Sequence, residues 1–143
     1  MSVEWDVNYL AVIVAAIAGM VIGAVYFMPA VAGKAWMNSI GKTAEDLSGA
    51  NQPVLYILAA IFQLLIATVL AATIGWADAH SLSGGILVGA LVWVGFGGPI
   101  VALALLFELR GVTNHVIVAV HGLIALIVMG AIIGAWPTAA AAV

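Results

Sequence analysis

Few side chains in this sequence are equipped for chemistry, and most of those few stand in or beside long apolar runs. His121 and Gln63 lie well inside two such runs, and the stretch GFGGP, Gly95 to Pro99, interrupts a third that extends from Leu82 to Phe107. Glu108, Arg110, Asn114 and His115 cluster where the third run meets the fourth. Polar and ionisable residues are costly in hydrocarbon, so their positions are informative. At about 1.5 Å of rise per residue, His121 lies about 13 to 14 Å into its run and Gln63 about 15 Å into its own. Folding the third and fourth runs back on each other near residue 110 brings Pro99 level with His121.

That coincidence suggests a chemistry. Proline has no N–H, and its ring clashes with the carbonyl four residues back, here that of Gly95. A carbonyl so freed must find a donor, because hydrocarbon supplies none. His121, Gln63, Gly95 and Pro99 therefore form a candidate mid-membrane polar site, in which an imidazole N–H, the Gln63 amide or a trapped water meets the Gly95 carbonyl. Two roles fit. One is a structural hydrogen bond at a kink, the commoner fate of a lone buried histidine. The other is a solute or ion site of the kind that broken transporter helices make with exposed carbonyls. Glu108, Arg110, Asn114 and His115 form a candidate cytoplasmic mouth, with a solvated turn as the plainer reading.

Several chemistries are not expected. The absence of cysteine removes thiolate metal sites, disulfides and cysteine nucleophiles. His115 and His121 point about 120° apart on one helix, a poor pair for a metal or haem iron, so no metal and no cofactor is assigned. No span holds a nucleophile with a base, a phosphate-binding glycine loop or a carboxylate pair. Catalytic residues are accordingly none, and an enzyme could rest only on His121. Three Lys/Arg against six Asp/Glu leave no basic patch for nucleic acid.

The elements that position these residues follow from composition. Of 143 residues 66% are hydrophobic and 6% charged, with a mean hydropathy of +1.30. Soluble domains carry roughly 25% charged residues; this chain cannot coat a soluble globule. A crossing helix needs about 20 apolar residues, and four runs qualify: about 7–28, 53–76, 82–107 and 112–136. The reading is all-α, a single transmembrane domain over 1–143 built as a four-helix bundle, with the third span kinked near Pro99. Trp5, Tyr9, Tyr26, Trp36, Trp76 and Trp136 fall near span ends, as an interfacial belt requires. The acidic opening SVEWD does not resemble the basic start of a cleavable signal.

Lys34 and Lys42 lie between spans one and two, and Arg110 lies between spans three and four. The other extramembrane segments have no Lys or Arg. The positive-inside rule then puts loops 29–52 and 108–111 in the cytoplasm and both termini outside the cell (inner) membrane. Within loop 29–52, Trp36, Met37 and Ile40 share a face, which predicts a short interfacial helix. Thr43 and Asp46 are spaced as a capping box, and Gly49 can end the turn beyond it.

Each span carries small residues four apart: Gly19 and Gly23 extend a row from Ala11 and Ala15, Ala59, Ala67 and Ala71 share a row with Gln63, Gly85, Gly89 and Gly97 are in register with Trp93, and Gly122, Gly130 and Gly134 mark the fourth span. Such rows let backbones approach closely in lipid. Packing within one bundle is the first explanation, and homo-oligomerisation or entry into a larger membrane assembly the second.

YFMP (Tyr26 to Pro29), GKAW (Gly33 to Trp36), FELR (Phe107 to Arg110), His121 and MGAIIGAW (Met129 to Trp136) together resemble the domain-of-unknown-function 1761 family. The resemblance covers essentially the whole chain, but does not extend to GFGGP or His115. It implies a small four-span membrane protein and no particular activity. Three functions therefore compete: an oligomeric packing or accessory protein, an oligomeric pore or carrier for a small solute or ion constricted at His121, and a membrane enzyme or cofactor binder using His121. Water at His121 would favour the pore or carrier; glycine faces against another chain would favour the packing protein.

Overall fold

The computed structural model describes residues 7–108 and 111–138. They form helices α1 (Tyr9–Tyr26), α2 (Lys34–Ile40), α3 (Ala44–Ser48), α4 (Gln52–Trp76), α5 (Leu82–Val92), α6 (Gly98–Glu108) and α7 (Val112–Ala135). Wider turns with i to i−5 hydrogen bonding cover Pro29–Gly33 and Trp93–Gly97. Four units are long and apolar enough to cross a bilayer: α1, α4, the continuous stretch Leu82–Glu108, and α7. This is the expected four-span membrane bundle, with span ends within about two residues of those read from the sequence.

Local chemistry explains the boundaries. Asn8 caps α1 by accepting from the N–H groups of Leu10 and Ala11 at 3.1 and 3.2 Å, and its amide donates to the Trp136 carbonyl at 3.2 Å, tying the start of α1 to the end of α7. Pro29 ends the first span, since its ring cannot continue a helical ladder. The expected capping box is present: Asp46 accepts from the Thr43 N–H at 2.8 Å, and the Asp46 N–H donates to the Thr43 hydroxyl at 3.2 Å. The Thr43 N–H, and the Thr43 hydroxyl that donates to the same carboxylate at 2.9 Å, hold the Asp46 carboxyl below its ordinary range. The box is thus intact at neutral pH and is lost only as pH falls through that lowered value. In α4, Thr68 and Thr73 return their hydroxyl protons to the carbonyls four residues back at 2.7 and 2.8 Å. Both are satisfied within the helix, unlike Gln63, whose Oε1 has no partner among the described residues.

The irregularity of the third span falls one turn before its proline. Across Trp93–Gly97 the ladder widens, and the Gly98 N–H donates to the Trp93 carbonyl five residues back. Pro99 stands next as the second residue of α6, in a first turn where its missing N–H is tolerated. The expected kink near Pro99 is therefore a widened turn, the local device that most often reshapes a helix at a site.

The closest packing joins α5 to α7. A Cβ built on Gly85 would run into the Gly130 carbonyl, one on Gly130 into the Gly85 carbonyl, and one on Gly134 into the Ser81 carbonyl. Gly89 faces the Leu126 carbonyl in the same way. These four glycines bring two backbones of one chain together, the first of the two uses expected of them. Met129, with no exposed surface, and Ile74, 1% exposed, anchor the small core beside this seam.

Replacing Gly85 with Leu sets a side chain against backbone, which cannot move aside. Overpacking costs typically about 1–3 kcal/mol, occasionally more, and this site belongs at the upper end. Gly85→Leu should lower the unfolding midpoint of the detergent-solubilised protein. An unchanged midpoint would show that the seam is not closed as described.

Candidate functional site

Small residues have a second use on α1. Gly19 faces Gln63 of α4: a Cβ there would lie 2.5 Å from the amide oxygen Oε1. One turn further along, a Cβ on Gly23 would lie 3.5 Å from Nε2 of His121 on α7. The two glycines clear space on one face of α1 for the two deepest polar side chains of the bundle. His121 is further held by aromatic rings at the exit of the first span, with ring centroids 5.5 Å from Tyr26 and 5.1 Å from Phe27. Phe27 in turn packs edge-on against Trp36 of α2 at 5.2 Å. The interfacial helix thereby braces the residue that flanks the histidine.

Oε1 of Gln63 and Nε2 of His121 are sealed from water and have no hydrogen-bond partner among the described residues. Oε1 sits over the α1 backbone at Gly19, where only a weak C–H···O contact is on offer. A sealed polar atom without a partner costs about 1–3 kcal/mol. Two such atoms at one level of a small bundle call for an explanation.

Both side chains border the same two cavities, which flank α4. One, of about 510 Å³, runs between α4, the widened turn with α6, and α7; Trp93, Gly97, Val118 and Gly122 line it along with Gln63 and His121. The other, of about 630 Å³, lies between α1, α2, α4 and α7, with Gly23, Phe27, Trp36 and Tyr56 beside the same pair. Both volumes are in the range of small-molecule sites, roughly 300–1,000 Å³. Apolar walls with two convergent polar groups suit an amphipathic molecule.

Two of the four expected members of this site are elsewhere. Gly95 and Pro99 are exposed on the outer face of the third span, alongside Phe96, which is 69% exposed. The physical reason is helix face: Trp93 and Gly97 continue the four-residue row of Gly85 and Gly89 and line the cavity, whereas Gly95 is about 200° round from Trp93 and lies with Pro99 on the exposed side. His121 and Gln63 therefore do not cap the Gly95 carbonyl. Trp93, Tyr26, Phe27 and the space-clearing role of Gly19 and Gly23 were missed in the sequence. The four-residue spacing of Gly19 and Gly23 was the available signal, but it reads equally as helix packing.

The expected cytoplasmic mouth divides into two places. His115 is 5% exposed; its Nδ1–H donates to the Gly111 carbonyl at 3.2 Å, and its Nε2 lies 3.9 Å from a Glu108 carboxylate oxygen. This pair braces the turn between the third and fourth spans. Asn114 faces α2 instead, beside Lys42, because adjacent helical residues point about 100° apart. Arg110 lies outside the described residues. Among the described residues no three His, Cys, Asp or Glu side chains come together as a metal site would need.

Because His121 and Pro99 do not meet, their effects on stability should be independent. Pro99→Ala and His121→Leu should combine additively within about 0.5 kcal/mol, the usual tolerance for separated sites. A larger coupling in thermal or denaturant unfolding of the double variant would restore a link between the break and the histidine.

The comparison with protein families agrees with the architecture. The family model described as Protein of unknown function (DUF1761) matches residues 10–134. No curated protein and no solved structure matches the chain. The chain belongs to this family.

Proposed function

Because that family carries no activity in its description, we propose a function from the site: a membrane-embedded binding protein or carrier for a small amphipathic molecule. The ligand enters from the bilayer beside α4, and its polar group is held between Gln63 and His121. One observation carries this reading. Two apolar cavities share a single pair of polar side chains, each with a sealed and unpaired atom. Sealed atoms are reached only when their side chains turn toward a cavity; a ligand that then brings both a donor and an acceptor to this level offsets a cost that the protein alone bears. Functional residues inside membranes are commonly kept at such a cost. The accessory, self-associating reading has less support, since Gly85, Gly89, Gly130 and Gly134 are used within the chain and Gly19 and Gly23 face Gln63 and His121. The enzyme reading has less support too, since among the described residues Nε2 of the imidazole has no hydrogen-bond partner to orient it.

Orientation is part of the proposal. Lys34, Lys42 and Arg110 all fall on one side, which by the positive-inside rule is the cytoplasm, with both termini opposite. The Lys42 and Asn114 side of α7 is then the cytoplasmic leaflet. Reporter fusions at Gly41 and at Val143 should be active on opposite faces, the second outside; a cytoplasmic C-terminal reporter reverses the assignment.

Trp93 supplies a direct test of binding, because it lines the cavity beside His121. A bromine-tagged long-chain alcohol should quench Trp93 saturably, measured against a Trp93→Phe background. Gln63→Met combined with His121→Phe keeps the bulk but removes the polar pair. Each hydrogen bond lost is worth about 0.5–1.5 kcal/mol, so affinity should fall roughly tenfold or more. Quenching that rises linearly without saturation, unchanged in the double variant, would mean partition into lipid alone and would end this reading.

A further inference from the structure

A second pocket lies apart from the Gln63–His121 pair, between α2 and the first turns of α7. It has a volume of about 550 Å³ and is lined by Trp36, Ser39, Ile40, Lys42, Asn114 and Val118. The segment containing α2 connects two spans, and Asn114 is the third residue of α7. The pocket is therefore at the depth where lipid headgroups meet the hydrocarbon.

Its three polar members have different hydrogen-bonding roles. Lys42 is a point cation with three donors. Ser39 donates its hydroxyl proton to the Trp36 carbonyl at 2.6 Å, so its oxygen has only lone pairs left to offer. Asn114 has its Oδ1 sealed, which leaves the amide N–H₂ as the group it can present. Trp36, Ile40 and Val118 make an apolar floor. Donors for an anion thus stand beside an acceptor for a cation or hydroxyl, over a surface suited to methylenes. The charges of the connecting segment match that pairing: Lys34 and Lys42 balance Glu45 and Asp46, for a formal charge of zero.

We propose that this pocket holds the headgroup of a phosphatidylethanolamine-class lipid. The phosphate lies on Lys42 and the Asn114 amide, the headgroup ammonium donates to Ser39 Oγ, and the glycerol end rests on Trp36, Ile40 and Val118. A choline headgroup has the same phosphate but no N–H, so it cannot make the Ser39 contact. An anionic glycerol headgroup gains no advantage from a segment without excess positive charge, whereas polybasic segments do select anionic lipid. The site is independent of the function proposed for Gln63 and His121, and the two can fail separately.

The test is lipid retention by the full chain, read by native mass spectrometry from micelles doped with phosphatidylethanolamine, phosphatidylcholine or phosphatidylglycerol. Wild type should retain the ethanolamine lipid about ten- to hundredfold over the choline lipid, the worth of one added hydrogen bond to a charged group. Ser39→Ala should bring that ratio close to one while choline-lipid retention stays unchanged. Lys42→Gln should lower retention of both, with helicity by circular dichroism confirming that each variant is folded. Gln63→Met with His121→Phe should leave the ratio intact. Equal retention of ethanolamine and choline lipids by wild type overturns the proposal, as does preference for phosphatidylglycerol or a ratio unmoved by Ser39→Ala.

Discussion

The direct contact of two backbones, at the glycines of α5 and α7, is the constraint on which the rest of the bundle depends. In hydrocarbon there is no water to expel, so helices associate through close packing and the few polar contacts available. Gly85 and Gly130 approach until each carbonyl occupies the place a Cβ would take on the other. That seam holds the N-terminal half of the third span along the C-terminal half of the fourth. Beyond it, where the fourth span carries His121 and Gly122, the third span changes its ladder at Trp93–Gly97. The seam and the widened turn together set Trp93 beside Gly122, where a Cβ would lie 3.2 Å from the indole nitrogen.

Glycines on α1 have a different purpose from those on α5. Gly85 and Gly89 admit another backbone, while Gly19 and Gly23 admit the ends of long polar side chains. The distinction matters energetically. A flexible side chain can withdraw from a new methyl group, but a helical backbone cannot. The α5–α7 seam is consequently closed to added bulk, whereas the α1 face meets side chains that can move aside. Both cavities border α4, and His121 lines each of them.

The interfacial connection ties these levels together. α2 meets α7 through the pocket of Lys42 and Asn114, and Trp36 of the same helix touches Phe27, which touches His121. A headgroup in the outer pocket and a molecule beside His121 would thus share Trp36 as a wall. This gives the two sites a common physical neighbour without requiring that either depend on the other.

The four spans, their ends and the capping box at Thr43 and Asp46 were legible in the sequence. Each depends on short-range facts: about 20 apolar residues fill a bilayer, proline ends a ladder, and a threonine three residues before an acid closes a cap. The depth of His121 and Gln63 was legible for the same reason, since rise per residue is constant. Azimuth was not. Depth paired Pro99 with His121, but Trp93 and Gly97, which continue the row of Gly85 and Gly89, are the residues that line the cavity, while Gly95 and Pro99 lie on the outer face. The glycine rows were equally ambiguous, because spacing of four states that a face is smooth but not what lies against it. Only the tertiary structure decided that Gly85 meets Gly130 and that Gly19 meets Gln63, since the identity of a neighbour is a property of packing between helices and not of any one of them.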